Sequence, residues 1–373
     1  VCSSDLAGAE LCRRLGFPVV IGELLAGLLL GPSVFGHFAP GLFTLTFPQQ
    51  AMQYHLLEVV GILGMVLLLL MTGLETDLRL LRGLGRSALV ASAAGMALPF
   101  AMGFGLGMWM PEGYLAAPQQ RILFSLFLAT ALSISAMPVI AKILMDLDLT
   151  RRNIGVVILS AGVIDDTTGW LMLSLIAGAV SQGAVKLTDL AKTLGLTAAF
   201  LVASAVILYP LLRWLVRLTA QRARTPDSDM VLIICVTLIC AAITEWIGIH
   251  AVFGAFVVGV VLRQVPSLRA ESVQRIEGFV LSILGPIFFG IVGLKVDIWQ
   301  LQGGGMLAIV LTVACLGKLI GCSAGGMLGG MRFWESLSVA VAMNARGAME
   351  LVVAMIGLSL GILNQQMFSI IVC

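Results

Sequence analysis

Long apolar stretches separated by short polar connections recur along the chain from about residue 16 to its end. A transmembrane helix needs roughly 20 apolar residues to cross the hydrocarbon core of a bilayer, and the stretches have about that length. We therefore predict eleven complete spans and a twelfth that begins at about Gln366 and is cut off at Cys373. The eleven lie near residues 16–34, 56–75, 86–108, 122–145, 153–181, 189–217, 229–247, 249–264, 274–294, 303–329 and 335–361.

Composition supports a membrane protein, because 59% of the 373 residues are hydrophobic, 11% are charged and the mean hydropathy is +1.05. The net charge of +2 gives no indication of a nucleic-acid partner. The seven cysteines show no metal-ligand or Cys-x-x-Cys spacing, so no cofactor is predicted. We expect one all-α polytopic domain over residues 1–373, truncated at both ends, with its longest polar connections at about 35–55 and 218–229.

The basic residues test the predicted spans, because cytoplasmic loops of membrane proteins carry an excess of Lys and Arg. Threading the chain through the spans puts sixteen of the 22 basic residues on one side and four on the other. Lys318 and Arg346 account for the remaining two, and both lie within spans. The separation supports the count of spans and places residues 1–15 in the cytoplasm.

Two groups of three spans share an arrangement in which the middle span is interrupted by polar or Gly residues. The threading gives the interrupted spans, 122–145 and 335–361, opposite directions across the membrane. Inverted repeats with interrupted helices are typical of secondary transporters, whose ion sites lie near the membrane midplane. We predict a first repeat at about 16–181, a linker helix at about 189–217 and a second repeat at about 229–373.

Two adjacent carboxylates, Asp165 and Asp166, lie near the middle of span 153–181, where an ionised group is costly and usually functional. Neighbouring residues on a helix point about 100° apart, which predicts different partners and different roles. Desolvation favours the protonated form of a carboxyl group, and oxygen ligands also suit an alkali cation. One carboxylate could therefore bind either ion in turn; the alternative is a polar packing contact.

Lys318 lies deep in span 303–329, and a buried ammonium needs an anionic partner. We expect Asp165 or Asp166 to be that partner, in a pair that either changes during transport or holds the helices together. Arg346 and Glu350 are four residues apart and can pair on one helix face. We predict a structural role for this pair, beside a helix break marked by Asn344 and Gly347.

The other predicted break lies near Pro138, which removes a helical hydrogen bond. Thr130, Ser133 and Ser135 precede it and could offer oxygens to a dehydrated cation. Hydroxyl groups in membrane helices more often bond to their own backbone, so both interpretations stay open.

Several ordered motifs resemble the monovalent cation:proton antiporter superfamily, in the branch of bacterial sodium/proton antiporters, glutathione-gated potassium efflux systems and plant cation/proton exchangers. The motifs are Pro18-Val-Val-Ile-Gly-Glu-Leu-Leu-Ala-Gly-Leu-Leu-Leu-Gly-Pro32, Met71-Thr-Gly-Leu-Glu-Thr-Asp-Leu78, Asp165-Asp166, Pro286-Ile-Phe-Phe-Gly-Ile-Val-Gly-Leu-Lys-Val-Asp297 and Asn344-Ala-Arg-Gly-Ala-Met-Glu-Leu351. The resemblance implies an inverted-repeat fold of thirteen helices with two crossed discontinuous helices, and a homodimer.

By position, Asp166 resembles the carrier of cation and proton in that family, and Asp165 resembles the neighbour that pairs with Lys318. Thr130 resembles a residue at the point where the first broken helix crosses the second. In the family that the chain resembles, two adjacent acids favour sodium as the transported cation, with lithium possible in its place and potassium as the alternative. We expect a multi-pass protein of the bacterial inner membrane that is not an enzyme. Its predicted partners are monovalent cations, protons, membrane lipid and a second copy of the chain, with no nucleic acid.

Two other classes also use buried carboxylates or broken helices. A sodium-coupled solute symporter would share the repeats and the interrupted helices. An intramembrane aspartyl protease needs its acids on separate helices and a Gly-x-Gly-Asp motif, which the sequence lacks. Adjacent acids also point too far apart to share one water.

Overall fold

The computed structural model describes residues 19–47, 51–76, 86–146, 149, 152–181, 187–222, 226–247, 250–300 and 304–372. Within these ranges the chain is helical, and the one β-type contact is an isolated bridge between Leu115 and Leu363. The all-α prediction is therefore confirmed.

Each predicted span corresponds to one helix or to a helix in pieces. In a bilayer an apolar segment must pair its own backbone N–H and C=O groups, and an α-helix does this within the segment. Seven described helices are long and apolar enough to cross a membrane, and four shorter apolar helices accompany them. The helices are α1 (Val19–Leu30), α2 (Phe35–Phe38), α3 (Pro40–Thr46), α4 (Ala51–Glu75), α5 (Arg86–Trp109), α6 (Arg121–Ser133), α7 (Met137–Asp146), α8 (Asn153–Ser181), α9 (Leu187–Ala203), α10 (Tyr209–Arg222), α11 (Pro226–Trp246), α12 (Ala251–Arg263), α13 (Ala270–Phe279), α14 (Gly285–Leu294), α15 (Gly304–Leu328), α16 (Phe333–Met343), α17 (Ala348–Ser359) and α18 (Gln365–Val372).

Two predicted spans are continuous helices with a π-helical turn inside them. Ser204–Leu208 joins α9 to α10, and Val280–Leu284 joins α13 to α14. A π-helical turn adds one residue to a helical turn without ending the helix. The apolar pattern therefore predicts the spans but not these turns.

The chain forms two compact units, one made of residues 1–76 and 194–301 and the other of residues 77–193 and 302–373. In the first unit α4 packs closely on α12. A Cβ atom on Gly73 would lie 2.2 Å from the carbonyl oxygen of Phe256, so only glycine permits this approach.

The second unit contains both interrupted helices and the long helix α8. Its α5 and α15 also approach closely, since a Cβ atom on Gly321 would lie 2.6 Å from the carbonyl oxygen of Ala94. One interruption separates α6 from α7 at residues 134–136, and the other separates α16 from α17 at residues 344–347. The fold therefore has the two discontinuous helices that the sequence predicts.

Candidate functional site

The two adjacent carboxylates lie near the middle of α8, and both are buried. Asp165 is 0% exposed and Asp166 is 1% exposed. Asp165 is the thirteenth residue of a helix of 29 residues, which places it about 18 Å along the helix axis. Carboxylates this far from either helix end are costly unless they are compensated.

Asp165 accepts hydrogen bonds from two helices and from the break in a third. Lys318 on α15 places its Nζ atom 2.5 Å from Oδ2. Ser135, in the break between α6 and α7, donates its hydroxyl to the same oxygen at 3.1 Å. Ser92 on α5 donates to Oδ1 at 2.8 Å. These donors compensate the charge of a carboxylate that is fully buried in the protein.

The Lys318 side chain is 1% exposed, and its ammonium donates hydrogen bonds both to the Asp165 carboxylate and to the C-terminal end of α6. Its Nζ atom lies 2.5 Å from the carbonyl oxygen of Ser133, the last residue of α6. Carbonyl groups at a helix C-terminus carry partial negative charge. The ammonium is therefore held by both the Asp165 carboxylate and the C-terminal end of α6.

The two helix breaks contact each other directly. The backbone N–H of Ala136 donates to the carbonyl oxygen of Ala345 at 2.9 Å. The Ser135 hydroxyl donates to the carbonyl oxygen of Met343 at 2.7 Å, in addition to its contact with Asp165. Because a hydroxyl has one proton, it can donate fully to only one of these two acceptors at a time.

Arg346 pairs with Glu350 on the second broken helix, with Nη1 of the arginine donating to Oε1 of the glutamate. Its Nη2 atom lies 3.3 Å from the carbonyl oxygen of Leu132, near the C-terminal end of α6. Asn344 follows α16, and its buried Oδ1 atom accepts no hydrogen bond from the residues that the structure describes. Two basic side chains, Lys318 and Arg346, thus meet the terminal carbonyl groups of α6.

The structure separates the candidate hydroxyl ligands into two groups. Thr130 and Ser133 are buried within α6, and their hydroxyls donate to the carbonyl oxygens of Leu126 and Thr130 in the same helix. Pro138 is the second residue of α7. Of the three hydroxyls near this break, only that of Ser135 contacts a predicted carboxylate.

Sequence reasoning missed Ser92. It is fully buried and reaches Asp165 across 73 positions of sequence. Nothing in its local sequence separates it from other serines inside apolar helices, such as Ser174, which bonds to its own helix. Only the packing of α5 beside α8 identifies it.

An all-helical membrane protein with two crossed, broken helices and a buried Asp–Lys pair belongs structurally to the secondary transporters. The family can be stated more closely. Residues 2–373 match the model of the family described as "Sodium/hydrogen exchanger, transmembrane", and the chain belongs to that family. The resemblance seen in the sequence motifs is thereby confirmed.

Related proteins are antiporters with different named cations. Cation/H(+) antiporter 18 of Arabidopsis thaliana is 33% identical over 98% of this chain and 45% of its own length. K(+)/H(+) antiporter 1 of Saccharomyces cerevisiae is 31% identical over 95% of this chain and 41% of its own length. Na(+)/H(+) antiporter NhaS4 of Synechocystis is 29% identical over 97% of this chain and 88% of its own length. The chain thus spans less than half the length of the plant and yeast relatives.

The fold also matches a solved structure. The sodium proton antiporter MjNhaP1 from Methanocaldococcus jannaschii superposes with a TM-score of 0.70, over 99% of this chain and 91% of that one. The sequences are 15% identical, so this likeness concerns the fold alone. The chain is a multi-pass integral membrane protein of a cation/proton antiporter family.

Proposed function

We propose that the protein exchanges a monovalent cation for protons, with Asp166 as the group that binds each ion in turn. The supporting observation is the set of contacts made by Asp165, from which its neighbour Asp166 points away. Asp165 accepts bonds from Lys318, Ser92 and Ser135, whereas Asp166 points about 100° away around the same helix. Competition of cation and proton for one carboxylate would couple their fluxes.

In this proposal Asp165 and Lys318 form a fixed ion pair beside the carrier Asp166. The Asp165 carboxylate lies in a salt bridge with the buried Lys318 ammonium, so we assign the exchange of proton and cation to the neighbouring Asp166. The contacts between Ser135 and Met343 and between Ala136 and Ala345 join the two breaks to the same cluster. A movement of the broken helices would then change the hydrogen bonds of Asp165 directly.

Sodium is the cation that we propose, with lithium as a close substitute, because two adjacent acids resemble the sodium-linked branch. Potassium is the second candidate. The name of the yeast relative, a K(+)/H(+) antiporter, favours it, while the name of the cyanobacterial relative favours sodium. Since the relatives are named as antiporters, exchange is better supported than the sodium-coupled symport considered from the sequence.

Two further parts of the proposal concern assembly and location. We propose a homodimer in the bacterial inner membrane, with Thr130, Ser133 and Pro138 shaping the first broken helix and Asn344, Arg346 and Glu350 supporting the second. Chemical cross-linking in native membranes would detect the dimer as a band at twice the monomer mass. A monomer at all cross-linker concentrations would contradict it.

The experiment that tests the function uses proteoliposomes with an internal pH indicator and an imposed proton gradient. We expect sodium, lithium or potassium to dissipate the gradient, because each can replace the proton on Asp166. Choline, which is too large for a carboxylate site inside a helix bundle, serves as the control. A proton gradient that none of the three cations changes would contradict antiport, and the cation effective at the lowest concentration identifies the preferred substrate.

A further inference from the structure

The two oxygens of the Asp165 carboxylate are held from opposite sides. Lys318 and Ser135 both bond to Oδ2, at 2.5 and 3.1 Å. Within the described part of the chain, the hydrogen bond given to Oδ1 comes from Ser92, at 2.8 Å. A carboxylate rotates about its Cβ–Cγ bond, and donors on both oxygens restrain that rotation more than donors on one oxygen do.

Ser92 and Lys318 are presented by two helices that are packed at close range. A Cβ atom on Gly95 would lie 2.2 Å from the Sγ atom of Cys322, and one on Gly321 would lie 2.6 Å from the carbonyl oxygen of Ala94. These contacts lie two and three residues after Ser92 on α5, and three and four residues after Lys318 on α15. The distance between the two donors is therefore set by backbone packing and does not depend on flexible side chains alone.

We propose that Ser92 is a positioning residue for transport, which holds the Asp165 carboxylate in the plane where Oδ2 meets Lys318 and Ser135. The inference rests on the proposed function, because it assigns Ser92 a part in exchange. Without the Ser92 hydroxyl, Oδ1 loses the hydrogen bond that Ser92 donates, and the carboxylate is held less firmly in its plane. The ammonium and the helix breaks then lose their defined partner.

Both a smaller and a larger side chain can be tested at this position, because Ser92 lines a cleft. A cleft of about 420 Å³ is lined by Ser92, Ser133, Ile164, Thr168, Met96 and Phe100, among other residues of α5, α6 and α8. The added methyl group of Ser92→Thr can occupy this cleft while the hydroxyl is kept. Ser92→Ala removes one oxygen atom and leaves the helix packing unchanged.

A matched control is available on α6. Ser125 is as completely buried as Ser92, but its hydroxyl donates to the carbonyl oxygen of Arg121 in its own helix at 2.8 Å. Ser125→Ala therefore removes a buried hydroxyl of the same size without changing a contact of Asp165. Any effect common to both alanine variants is a general effect of deleting a buried serine.

The test measures cation-driven proton flux by the full chain in proteoliposomes, with the apparent KM for the cation and the maximal rate determined separately. We expect Ser92→Ala to lower the maximal rate about tenfold, the factor that one hydrogen bond to a charged group supplies. The apparent KM should stay within about twofold, because cation binding is assigned to Asp166. Ser92→Thr should restore the rate, and Ser125→Ala should leave both parameters unchanged.

Three results would overturn the positioning role: an unchanged rate in Ser92→Ala, an equal loss in Ser125→Ala, or no recovery in a folded Ser92→Thr protein. If the unsubstituted chain transports nothing, the proposed function fails instead. A double-mutant cycle of thermal unfolding between Ser92→Ala and Asp165→Asn then decides whether the contact orders the carboxylate. Additive effects in that cycle would also reject the inference.

Discussion

The pair of Lys318 and Asp165 allows a quantitative prediction. Lys318→Met keeps a side chain of similar length but removes the ammonium, and it leaves the Asp165 carboxylate buried with Ser92 and Ser135 as donors. Breaking one side of a buried ion pair costs about 3–5 kcal/mol, because the other charge stays uncompensated. Since two donors remain, we expect a loss near the lower limit, about 3 kcal/mol.

The double variant Lys318→Met with Asp165→Asn should recover part of this loss, because no buried charge is left without its partner. A coupling free energy of about 2 kcal/mol between the two positions is expected from the double-mutant cycle. Unfolding of the purified protein in mixed micelles, with increasing denaturing detergent, measures each free energy. Additive single substitutions would refute the account of a buried pair that is held together by charge.

Two further predictions concern the first unit. Gly73→Ala should reduce the thermal stability strongly in detergent, because the new methyl group meets a backbone oxygen of α12 at 2.2 Å, whereas Gly41→Ala, which meets nothing within 4 Å, should not. At the start of α12, the Nδ1 atom of His250 accepts a hydrogen bond from the N–H of Val252. Only the neutral ring can accept this bond, because both ring nitrogens are donors once the ring is protonated. Stability should therefore fall at acidic pH, and His250→Asn, which keeps an acceptor at this position, should weaken this dependence; an equal pH dependence in both proteins would contradict it.

Much of the fold follows from the sequence, because hydrophobic length is a strong constraint in a bilayer. The apolar stretches predict where the helices lie, and Pro138 and Asn344 indicate where two of them break. The sequence predicts a polar connection near 35–55, yet this segment includes α2 and α3. These helices have four and seven residues, too short to produce a span-length pattern.

The exact place of the first break depends on how proline acts in a helix. The resemblance assigns Thr130 to the crossing, but the structure places the break at residues 134–136, a turn later. Proline is tolerated in the first turn of a helix, where no N–H is needed. Pro138 therefore marks the start of α7, and the break comes just before it.

The partners of the carboxylates could be predicted only in part. A buried ammonium requires an anion, so the sequence alone narrows the partner of Lys318 to Asp165 or Asp166. The structure shows that the ammonium contacts Asp165. Ser92 and Ser135 reach Asp165 through tertiary packing, over separations of 73 and 30 residues, and a serine within an apolar helix gives no sign of such a contact.

The proton flux of Asp166→Asn in proteoliposomes tests the central claim most directly. Asparagine keeps the size of the side chain but cannot exchange a proton or carry charge, so we expect no cation-driven flux above that of empty liposomes. Glu112→Gln, which removes an exposed carboxylate elsewhere in the same unit, should transport like the unsubstituted protein. Unchanged exchange by a folded Asp166→Asn protein would contradict the assignment of Asp166 as the carrier.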